Sequence, residues 1–482
     1  MPVERTKDYV GGKWVASLSR ATREVRNPAT GEIIGSVSLG SAADVDRAAT
    51  LAHRAFAGWR AVPAVERARR LFELKHLLDR NAEELARAVT RENGKTLDEA
   101  RGSVRRGIEC VEVAAGAPSQ LMGQVLEDVA RGIDCASIRQ PIGVFACVAP
   151  FNFPAMVPLW FMPFAVACGN TFVCKPSEQV PFTQKLVFEL VHEAGFPPGV
   201  LNLVNGGKEA VDALLSHPAI RGISFVGSSP VAQHVYRTAA LHGKRVQALG
   251  GAKNFLIVMP DADRERALDS ITESAFGCAG QRCLAGSVVI AVGESHGWLR
   301  EGLVERARAI RIGDGAATGT RMGPLVSEEH RRRVLGYLAK GLEEGAEIAL
   351  DGRNAVVPEK GFFLGPSIFD RVTPEMTIAR DEIFGPVLCV ARAESLDAAL
   401  ELARRHPLAN ASSIFTASGK SARKFQNEVE ASMAGVNVGV AAPMSFFGFG
   451  GAKGSFFGDL KAHGREAFDF YTDRKVVISR WD

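Results

Sequence analysis

The chain has 482 residues, of which 46% are hydrophobic and 23% charged, and it contains 49 glycines. Its length is roughly two to four times that of an ordinary domain, and its composition excludes a disordered or fibrous protein, so two or three packed α/β units are expected. The formal net charge of +4 is small beside 58 basic and 54 acidic side chains, which argues against a nucleic-acid partner.

Eight cysteines are spread along the chain with no CxxC pair and no Cys/His cluster at metal-ligand spacing. They are Cys110, Cys135, Cys147, Cys168, Cys174, Cys278, Cys283 and Cys389. This spacing predicts neither disulfides nor a bound metal. The first residues lack the apolar segment of a secretory signal, and no apolar run reaches membrane-spanning length. We therefore expect a reducing, cytoplasmic setting without a membrane partner.

Amphipathic helices are predicted early in the chain, after a turn at 28–32. Apolar residues recur at three- and four-residue spacing over 41–60, 64–79 and 82–92, with arginines on the opposite face. Such helices should cover a sheet.

Short apolar runs alternate with helical stretches from residue 142 onward. Strands are predicted over 142–149, 171–174, 200–204 and 222–226, and helices over 155–168, 181–194, 208–216 and 230–242. This alternation predicts a parallel sheet with crossover helices, of the size that binds a dinucleotide. A second α/β stretch follows, with a helix near 263–277, a strand near 287–292 and further elements to about residue 430.

The segment 124–140 is polar and alternating, and the tail is strand-like over 475–479. Pairing of the two would give a projecting β-ribbon that forms a small third unit. Its exposed edges are natural places for a second subunit to add, so we expect a homo-oligomer, either a dimer or a tetramer.

The stretch 276–283 reads Phe-Gly-Cys-Ala-Gly-Gln-Arg-Cys and places a cysteine after an apolar helix and a glycine-containing turn. A thiolate adds readily to an aldehyde carbon, and the resulting thiohemiacetal expels hydride to leave a thioester. We therefore take Cys283 as the candidate nucleophile and expect Arg282 to lower the pKa of its thiol. Taken alone, the local sequence does not separate this residue from an ordinary core cysteine.

Four further motifs stand in order around that stretch: Pro150-Phe-Asn-Phe-Pro154, Lys175-Pro-Ser-Glu178, Phe225-Val-Gly-Ser228 and Glu382-Ile-Phe-Gly-Pro386. Together the five motifs resemble the aldehyde dehydrogenase superfamily, and the likeness covers essentially the whole chain. The resemblance implies an α/β fold with a Rossmann-type NAD-binding domain, an α/β catalytic domain and a small β oligomerisation domain. We expect these domains over 1–123 with 141–250, over 251–435, and over 124–140 with 455–482.

The resemblance also implies residue roles. Cys283 and Asn152 would be catalytic, since the Asn152 amide and the Cys283 backbone N–H are suited to hold an oxyanion. The residues that would bind the dinucleotide are Ala149, Phe151, Lys175, Glu178, Ser228, Glu382 and Phe384. A carboxylate at position 178 repels a 2′-phosphate, which favours NAD over NADP. The family usually has a second glycine at position 232, where this chain has Ala232.

Most family members that hydrolyse their thioester carry a glutamate opening a Glu-Leu-Gly-Gly-like motif. This chain reads Gln247-Ala-Leu-Gly-Gly-Ala-Lys-Asn254, with no carboxylate in the stretch to act as general base for water. Hydrolysis should therefore be slow, and a thiol such as coenzyme A is the apt acyl acceptor because thioester exchange is nearly balanced in energy. No separate coenzyme A signature stands in the sequence.

These features, with the ending Gly454-Ser-Phe-Phe-Gly-Asp459, resemble the CoA-acylating methylmalonate-semialdehyde dehydrogenases. The resemblance implies that Arg106 and Arg282 bind the substrate carboxylate, a role that suits the planar guanidinium group. It also implies malonate or methylmalonate semialdehyde as substrate, acetyl-CoA or propionyl-CoA and carbon dioxide as products, and a place in valine or inositol catabolism. Two alternatives stay open: a hydrolytic semialdehyde dehydrogenase with another base, such as Glu382, and a non-catalytic scaffold of the same fold.

Overall fold

The computed structural model describes residues 4–481. Short strands and then a run of helices come first. They are β1 (Asp8–Val10), β2 (Lys13–Val15), β3 (Thr22–Arg26), β4 (Ile33–Ser38), α1 (Ala42–Ala61), α2 (Ala64–Arg80), α3 (Ala82–Asn93), α4 (Leu97–Ala115) and α5 (Ala117–Gln120). The predicted helices over 41–60, 64–79 and 82–92 are confirmed. Helix α1 begins at a capping box in which the Ser41 backbone N–H donates to the Asp44 carboxylate over 2.9 Å.

The next stretch has the expected alternation of strands and helices. Its elements are β5 (Gln124–Ala130), β6 (Ile133–Pro141), β7 (Val144–Val148), α6 (Met156–Ala167), β8 (Thr171–Lys175), α7 (Phe182–Glu193), β9 (Leu201–Leu203), α8 (Lys208–Ser216), β10 (Ile220–Val226), α9 (Ser229–Leu241) and β11 (Arg245–Leu249). Strands β9-β8-β7-β10-β11 lie side by side in that order and are all parallel. The predicted parallel sheet is confirmed, and its strand order reverses direction between β7 and β10.

The remainder of the chain builds a second sheet and returns to the first. Its elements are β12 (Asn254–Val258), α10 (Arg264–Phe276), β13 (Gly286–Val292), α11 (Ser295–Arg308), α12 (Glu328–Glu343), β14 (Glu347–Leu350), β15 (Ser367–Asp370), α13 (Thr377–Arg380), β16 (Val387–Ala393), α14 (Leu396–Arg405), β17 (Leu408–Ala409), β18 (Ala411–Phe415), α15 (Gly419–Glu428), β19 (Met433–Val436), β20 (Ala452–Lys453), β21 (Phe456–Gly458), α16 (Gly464–Phe470) and β22 (Thr472–Arg480). The second sheet has seven strands in the order β14-β15-β16-β13-β12-β18-β19.

The first sheet is wider than the alternating pattern predicted. Strands β1 and β2 extend it antiparallel beyond β9, and β21 adds antiparallel to β11 at the opposite edge, giving eight strands. The tail from residue 455 therefore contributes to two sheets. Strand β21 joins this sheet, and β22 pairs with β6 in a separate small sheet.

The ribbon is a three-stranded antiparallel sheet in the order β22-β6-β5. Thr472 pairs with Pro141 and Arg480 with Ile133, so the predicted pairing of the 124–140 segment with the tail is confirmed. Strand β5 leaves apolar side chains exposed, with Val125 70% and Leu126 60% accessible.

The central strands of each large sheet are buried on both faces: β7, β8 and β12 have no exposed residue. Within residues 4–481, no helix is both long and apolar enough to cross a membrane. The same residues contain no grouping of three or more His, Cys, Asp or Glu side chains that could hold a metal ion, and the eight cysteines are free thiols.

Candidate active site

The carboxyl ends of β7, β8 and β10 carry three of the sequence motifs to one edge of the first sheet. Ala149 follows β7 directly, and its backbone N–H donates to the carbonyl of Lys175, the last residue of β8, over 3.0 Å. Ser228 follows β10 and precedes α9. Because the strand order reverses between β7 and β10, these residues surround the crevice where open α/β sheets bind ligands.

The loop that carries Cys283 leaves α10 through an unusual turn. Cys278 and Ala279 have φ of 53° and 52°, and Gly280 has φ of 71°, so three successive residues are left-handed. A Cβ at Gly280 would lie 2.0 Å from the Gly385 carbonyl oxygen, so only glycine fits there. The turn thus packs the loop that carries Cys283 against the Glu382–Pro386 motif.

Two asparagines fix the far side of that loop. The side-chain amides of Asn254 and Asn410 donate to the Cys283 carbonyl oxygen over 2.9 and 3.0 Å. The Asn254 amide also donates to the Ala285 carbonyl over 2.8 Å. The position of the Cys283 backbone is therefore set by hydrogen bonds to its carbonyl oxygen and not by its sulfur.

The thiol of Cys283 has a raised pKa of about 12. Burial is the main cause, and the carboxylate of Glu382 adds to it, whereas Arg282 and the backbone N–H groups of Cys283 and Leu284 act in the opposite direction. The expectation that Arg282 lowers this pKa is thus correct for its own contribution and wrong for the outcome, because burial outweighs it.

Asn152 lies beside the nucleophile loop and is buried. Its side-chain amide donates to the backbone carbonyl of Gln281 over 3.0 Å, two residues before Cys283. Since an amide nitrogen carries two hydrogens, this contact leaves one available for another acceptor. The structure therefore brings the two residues predicted to be catalytic into neighbouring loops.

A cavity of about 1080 Å³ opens on the Cys283 side chain and is lined by both predicted substrate arginines. The Arg106 guanidinium donates to the Pro443 carbonyl and, over 3.1 Å, to the Glu109 carboxylate. The guanidinium of Arg282 donates to the Glu273 carbonyl and, over 3.1 Å, to that of Ser274. Both cations thus face the cavity while their hydrogen bonds go to the protein itself.

The predicted ribose-binding pair is formed and largely buried. The Lys175 ammonium lies 3.1 Å from the Glu178 carboxylate, and the two side chains are 4% and 27% exposed. Burial opposes ionisation of Glu178, but Lys175 and nearby Arg23 outweigh it, so the pKa of Glu178 is lowered and the carboxylate stays charged.

The N-terminus of α9 is open to a ligand, because no side chain caps it. The Ser229 hydroxyl is committed elsewhere: it donates to the Gly454 carbonyl over 2.8 Å and accepts from the Gly251 N–H over 2.9 Å. Pro230 has no backbone N–H, so the N–H groups of Ser229 and Val231 are those that the first turn of the helix can offer to an anion such as pyrophosphate. Ala232 is fully buried on this helix.

The Glu382 carboxylate accepts from the Ala252 N–H over 2.9 Å. It also packs against Gly251, because a Cβ added at that glycine would lie 2.4 Å from the carboxylate oxygen. Burial raises its pKa to about 7. Two residues on, Phe384 has φ of 59°, and its ring meets that of Phe151 edge-on at 5.8 Å. These three residues form one wall beside Cys283.

His330 on α12 belongs to this wall and was missed by the sequence analysis. Its Nε2 donates to the Phe384 carbonyl over 2.7 Å, and its ring packs 6.0 Å from that of Phe151. It thereby holds Phe384 in its left-handed conformation. His330 precedes three arginines in sequence, and no motif marks it as a site residue.

The stretch 247–254 links β11 to β12 and runs past the site without a carboxylate. Gln247 and Ala248 lie buried within β11, and Gly250 and Gly251 pass Ser229 and Glu382 at close range. Glu382 is the carboxylate whose charge reaches the Cys283 thiol.

Comparison with known proteins gives a family. The model of the aldehyde dehydrogenase family matches residues 14–477. Malonate-semialdehyde dehydrogenase 2 of Geobacillus kaustophilus is 52% identical over 480 residues, which are 99% of this chain and 99% of that protein. Malonate-semialdehyde dehydrogenase of Halalkalibacterium halodurans is 51% identical over 478 residues, 99% of each.

Solved structures agree with the sequence relatives. A Sinorhizobium meliloti protein described as a methylmalonate-semialdehyde dehydrogenase and solved with NAD superposes with a TM-score of 0.98 at 43% identity, covering 100% of this chain and 98% of that one. The methylmalonate-semialdehyde dehydrogenase of Oceanimonas doudoroffii gives 0.98 at 44% identity, covering 100% and 99%. The predicted α/β fold class is confirmed.

Proposed function

The chain belongs to the aldehyde dehydrogenase family, and on that premise we propose that it oxidises malonate or methylmalonate semialdehyde with NAD, through a thioacyl-enzyme on Cys283. The observation that carries the proposal is a single cavity that is lined by the Cys283 side chain and by five arginines, among them Arg106 and Arg282. A semialdehyde that bears a carboxylate presents one group to each partner, the aldehyde to sulfur and the carboxylate to the cations.

The residues on the other side of Cys283 fit NAD. Lys175 and Glu178 offer a donor and an acceptor for ribose hydroxyls, and the uncapped N-terminus of α9 offers N–H groups for pyrophosphate. When bound, NAD accepts the hydride. Ala149, Phe151, Glu382 and Phe384 would place its nicotinamide ring beside the sulfur.

The first half of the reaction needs a thiolate and an oxyanion site. The Cys283 thiol gives up its proton to solvent water in the cavity, and the sulfur adds to the aldehyde carbon, which turns the carbonyl oxygen into an alkoxide. The free hydrogen of the Asn152 amide and the Cys283 backbone N–H would donate to that oxygen. Departure of hydride from the same carbon restores the carbonyl and leaves a thioester.

The acyl group then carries a carboxylate next to the thioester. Loss of carbon dioxide breaks the bond between carboxylate and α-carbon, and the electron pair is accepted by the thioester carbonyl before a proton returns to the α-carbon. The product acyl group is acetyl from malonate semialdehyde and propionyl from methylmalonate semialdehyde. The two substrates differ by one methyl group, a discrimination worth about 1–3 kcal/mol.

We propose coenzyme A as the acyl acceptor. Support comes from the stretch 247–254, which passes the site without a carboxylate to activate water. A thiolate of coenzyme A displaces the Cys283 sulfur, forming acyl-CoA and restoring the enzyme thiol. The cavity also has room for a second substrate, since its volume of about 1080 Å³ far exceeds that of a semialdehyde.

A hydrolytic semialdehyde dehydrogenase is the second candidate, and one observation favours it. Glu382 has a pKa raised to about 7 by burial and lies close enough to influence the Cys283 thiol. A carboxyl poised near neutrality can act as a general base for water. In that case the product is a free acid.

One experiment separates the two candidates. Purified protein is incubated with malonate semialdehyde and NAD, with and without coenzyme A, and the acyl product is identified by mass spectrometry. The proposal predicts acetyl-CoA, with slow turnover when coenzyme A is omitted. Free acid formed at an undiminished rate without coenzyme A would instead establish the hydrolytic enzyme.

We further propose that the chain assembles as a homodimer or homotetramer through the ribbon of β5, β6 and β22. Strand β5 lies at the edge of that sheet with Val125 and Leu126 exposed, which favours addition of another strand or sheet. The eight free thiols support the reducing, cytoplasmic setting. We propose the division into domains predicted from the sequence as well, except that β21 (Phe456–Gly458) belongs to the first sheet and only β22 of the tail to the ribbon.

A further inference from the structure

His463, in the turn that leads into α16, is a buried histidine at the wall of the Cys283 cavity. Its side chain lines that cavity together with those of Arg106 and Cys283. The residue is only 2% exposed. Its ring packs edge-on against Trp160, with centroids 4.7 Å apart, and at a tilt against Phe449, with centroids 5.6 Å apart. Two aromatic rings therefore hold the imidazole in place beside the cavity.

Neither ring nitrogen of His463 has a hydrogen-bond partner among residues 4–481. Buried polar atoms are normally paired, and leaving one unpaired is unfavourable because it has lost its hydrogen bonds to water. The rings of Trp160 and Phe449 offer no acceptor for the imidazole N–H. An imidazole that lines a cavity and has no partner in the protein is suited to a ligand that enters the cavity.

The backbone at His463 is strained. Its φ of 69° and ψ of 177° form a conformation that glycine adopts readily and that is unfavourable for a residue with a Cβ. Gly464 follows with φ of 55°, and its N–H donates to the Ser445 carbonyl over 3.0 Å. A Cβ at Gly464 would lie 2.5 Å from the Phe446 carbonyl oxygen, so the turn is packed closely against the loop over 443–446. Strain of this kind persists where the surrounding structure imposes it, and it is common at ligand-binding sites.

The same loop also contacts the helix that carries Arg106. The Arg106 guanidinium donates to the Pro443 carbonyl, and one turn later on α4 the Cys110 thiol donates to the Ser445 hydroxyl over 3.4 Å. Arg106 and the turn of His463 are thus both bound to residues 443–445, and both side chains line one cavity. A carboxylate has two oxygens that each accept more than one hydrogen bond, so a guanidinium leaves room for a second donor.

The imidazole of His463 is neutral. Burial lowers its pKa to about 3, and the positive charge of Arg106 acts in the same direction. At neutral pH one ring nitrogen therefore donates and the other accepts. A group with so low a pKa is a poor general base, which favours hydrogen bonding over proton transfer as its role.

We propose that His463 is a substrate-binding residue whose imidazole N–H donates a hydrogen bond to the substrate carboxylate beside Arg106. This inference rests on the proposed function, since it takes a semialdehyde that bears a carboxylate as the substrate. It adds a neutral donor to the cations Arg106 and Arg282. It also gives the unpaired imidazole and the strained turn a common reason.

The test compares malonate semialdehyde with propanal, which has a methyl group in place of the carboxylate, by the rate of NADH formation with NAD and coenzyme A present. His463→Phe keeps an aromatic ring but has no donor, and His463→Leu is a second apolar variant. His463→Asn keeps a donor on a side chain that tolerates a positive φ. His406→Phe is the matched control, because His406 is also a buried histidine, and its ring nitrogens contact backbone carbonyls away from the cavity.

We expect His463→Phe and His463→Leu to raise KM for malonate semialdehyde about tenfold, the effect of losing one hydrogen bond to a charged group, and to leave kcat/KM for propanal nearly unchanged. The ratio of kcat/KM between the two substrates should stay near the wild-type value in His463→Asn and His406→Phe. Because this ratio is taken within one variant, it does not depend on the fraction of the protein that folds. An unchanged ratio in His463→Phe and His463→Leu, or an equal loss for both substrates, would overturn the proposal.

A second measurement needs no turnover. The alcohol β-hydroxypropanoate has the carboxylate of malonate semialdehyde without its aldehyde, and its binding is measured as protection of Cys283 against alkylation by iodoacetamide, followed by peptide mapping. Half-protection should require about tenfold more of this alcohol in His463→Phe than in the wild type. Equal concentrations in the two proteins would contradict the proposal. Failure of the proposed function would instead appear in the wild-type protein, as an absence of preference for malonate semialdehyde over propanal.

Discussion

The nucleotide side and the acyl side of Cys283 differ in how their charged groups are used. On the nucleotide side, Lys175 and Glu178 pair with each other at 3.1 Å where a ribose is expected, and the N-terminus of α9 is uncapped. On the acyl side, Arg106 and Arg282 donate to carbonyls of the protein itself. The nucleotide side is thus ready for its ligand, whereas the acyl side must exchange internal hydrogen bonds for a substrate carboxylate.

This difference has a consequence for selectivity. A ligand that lacks a carboxylate leaves the arginines with their present partners and gains nothing from them, so discrimination on the acyl side is a difference between two sets of hydrogen bonds. On the nucleotide side, we expect discrimination against a 2′-phosphate to rest on the charge of Glu178.

The largest expected effect lies at the residue shared by both sides. Cys283→Ser should lower kcat by about four orders of magnitude or more, because a hydroxyl is a far weaker nucleophile at neutral pH. NAD binding, followed by quenching of intrinsic fluorescence, should persist. Cys135→Ser is the matched control, since Cys135 lies on β6 in the ribbon, and it should keep wild-type activity. Activity in Cys283→Ser comparable to that of the wild type would show that Cys283 is not the nucleophile.

Asn152→Ala should lower kcat about a hundred- to a thousandfold, the usual effect of removing one oxyanion donor. The rate of Cys283 alkylation should change far less, since alkylation forms no oxyanion. If alkylation and kcat fall together, Asn152 acts through the shape of the loop that it shares with Gln281.

The acyl side is tested by substrates with and without a carboxylate. Arg106→Gln and Arg282→Gln should each raise KM for malonate semialdehyde about ten- to a hundredfold, the loss of a charge-assisted hydrogen bond, and leave kcat/KM for propanal nearly unchanged. Arg101→Gln is the control on the same helix, because Arg101 is exposed and paired with Glu83. Equal losses for both substrates would indicate a structural role.

The smallest effect is expected on the nucleotide side. Glu178→Gln should raise kcat/KM with NADP relative to NAD by about tenfold, because one like-charge repulsion is removed. Steady-state kinetics with both nucleotides measures this ratio. An unchanged ratio would place the basis of nucleotide selection elsewhere in the crevice.

Much of the fold could be predicted because its signals are local. The apolar runs of β7 and β8 and the periodicity of α1 stand in consecutive residues, and the five motifs mark loops at strand ends. Strands β1, β2 and β21 were not predicted, since each has only three residues and its pairing depends on distant chain.

The site divides in the same way. The motif residues Cys283, Asn152, Lys175 and Glu382 were identified from the sequence. The structure brings Asn152 and Glu382 to the loop of Cys283 and leaves Lys175 at the carboxyl edge of the first sheet. His330 and His463 were not identified, because their importance lies in groups that are distant in sequence, the Phe384 carbonyl and the residues that line the Cys283 cavity. The carbonyl partners of Arg106 and Arg282 could not be predicted either, because a sequence motif identifies a residue but not its hydrogen-bond partners.

In the proposed reaction, Cys283 becomes acylated, and the thioester persists until a thiol accepts the acyl group. Rapid mixing of the protein with malonate semialdehyde and NAD, without coenzyme A, tests it most directly when NADH formation is followed and the protein is then digested and mapped. We expect a burst of about one NADH per active site and an acyl group on Cys283 that coenzyme A removes. Steady NADH formation with no burst, or a burst with no adduct on Cys283, would contradict it.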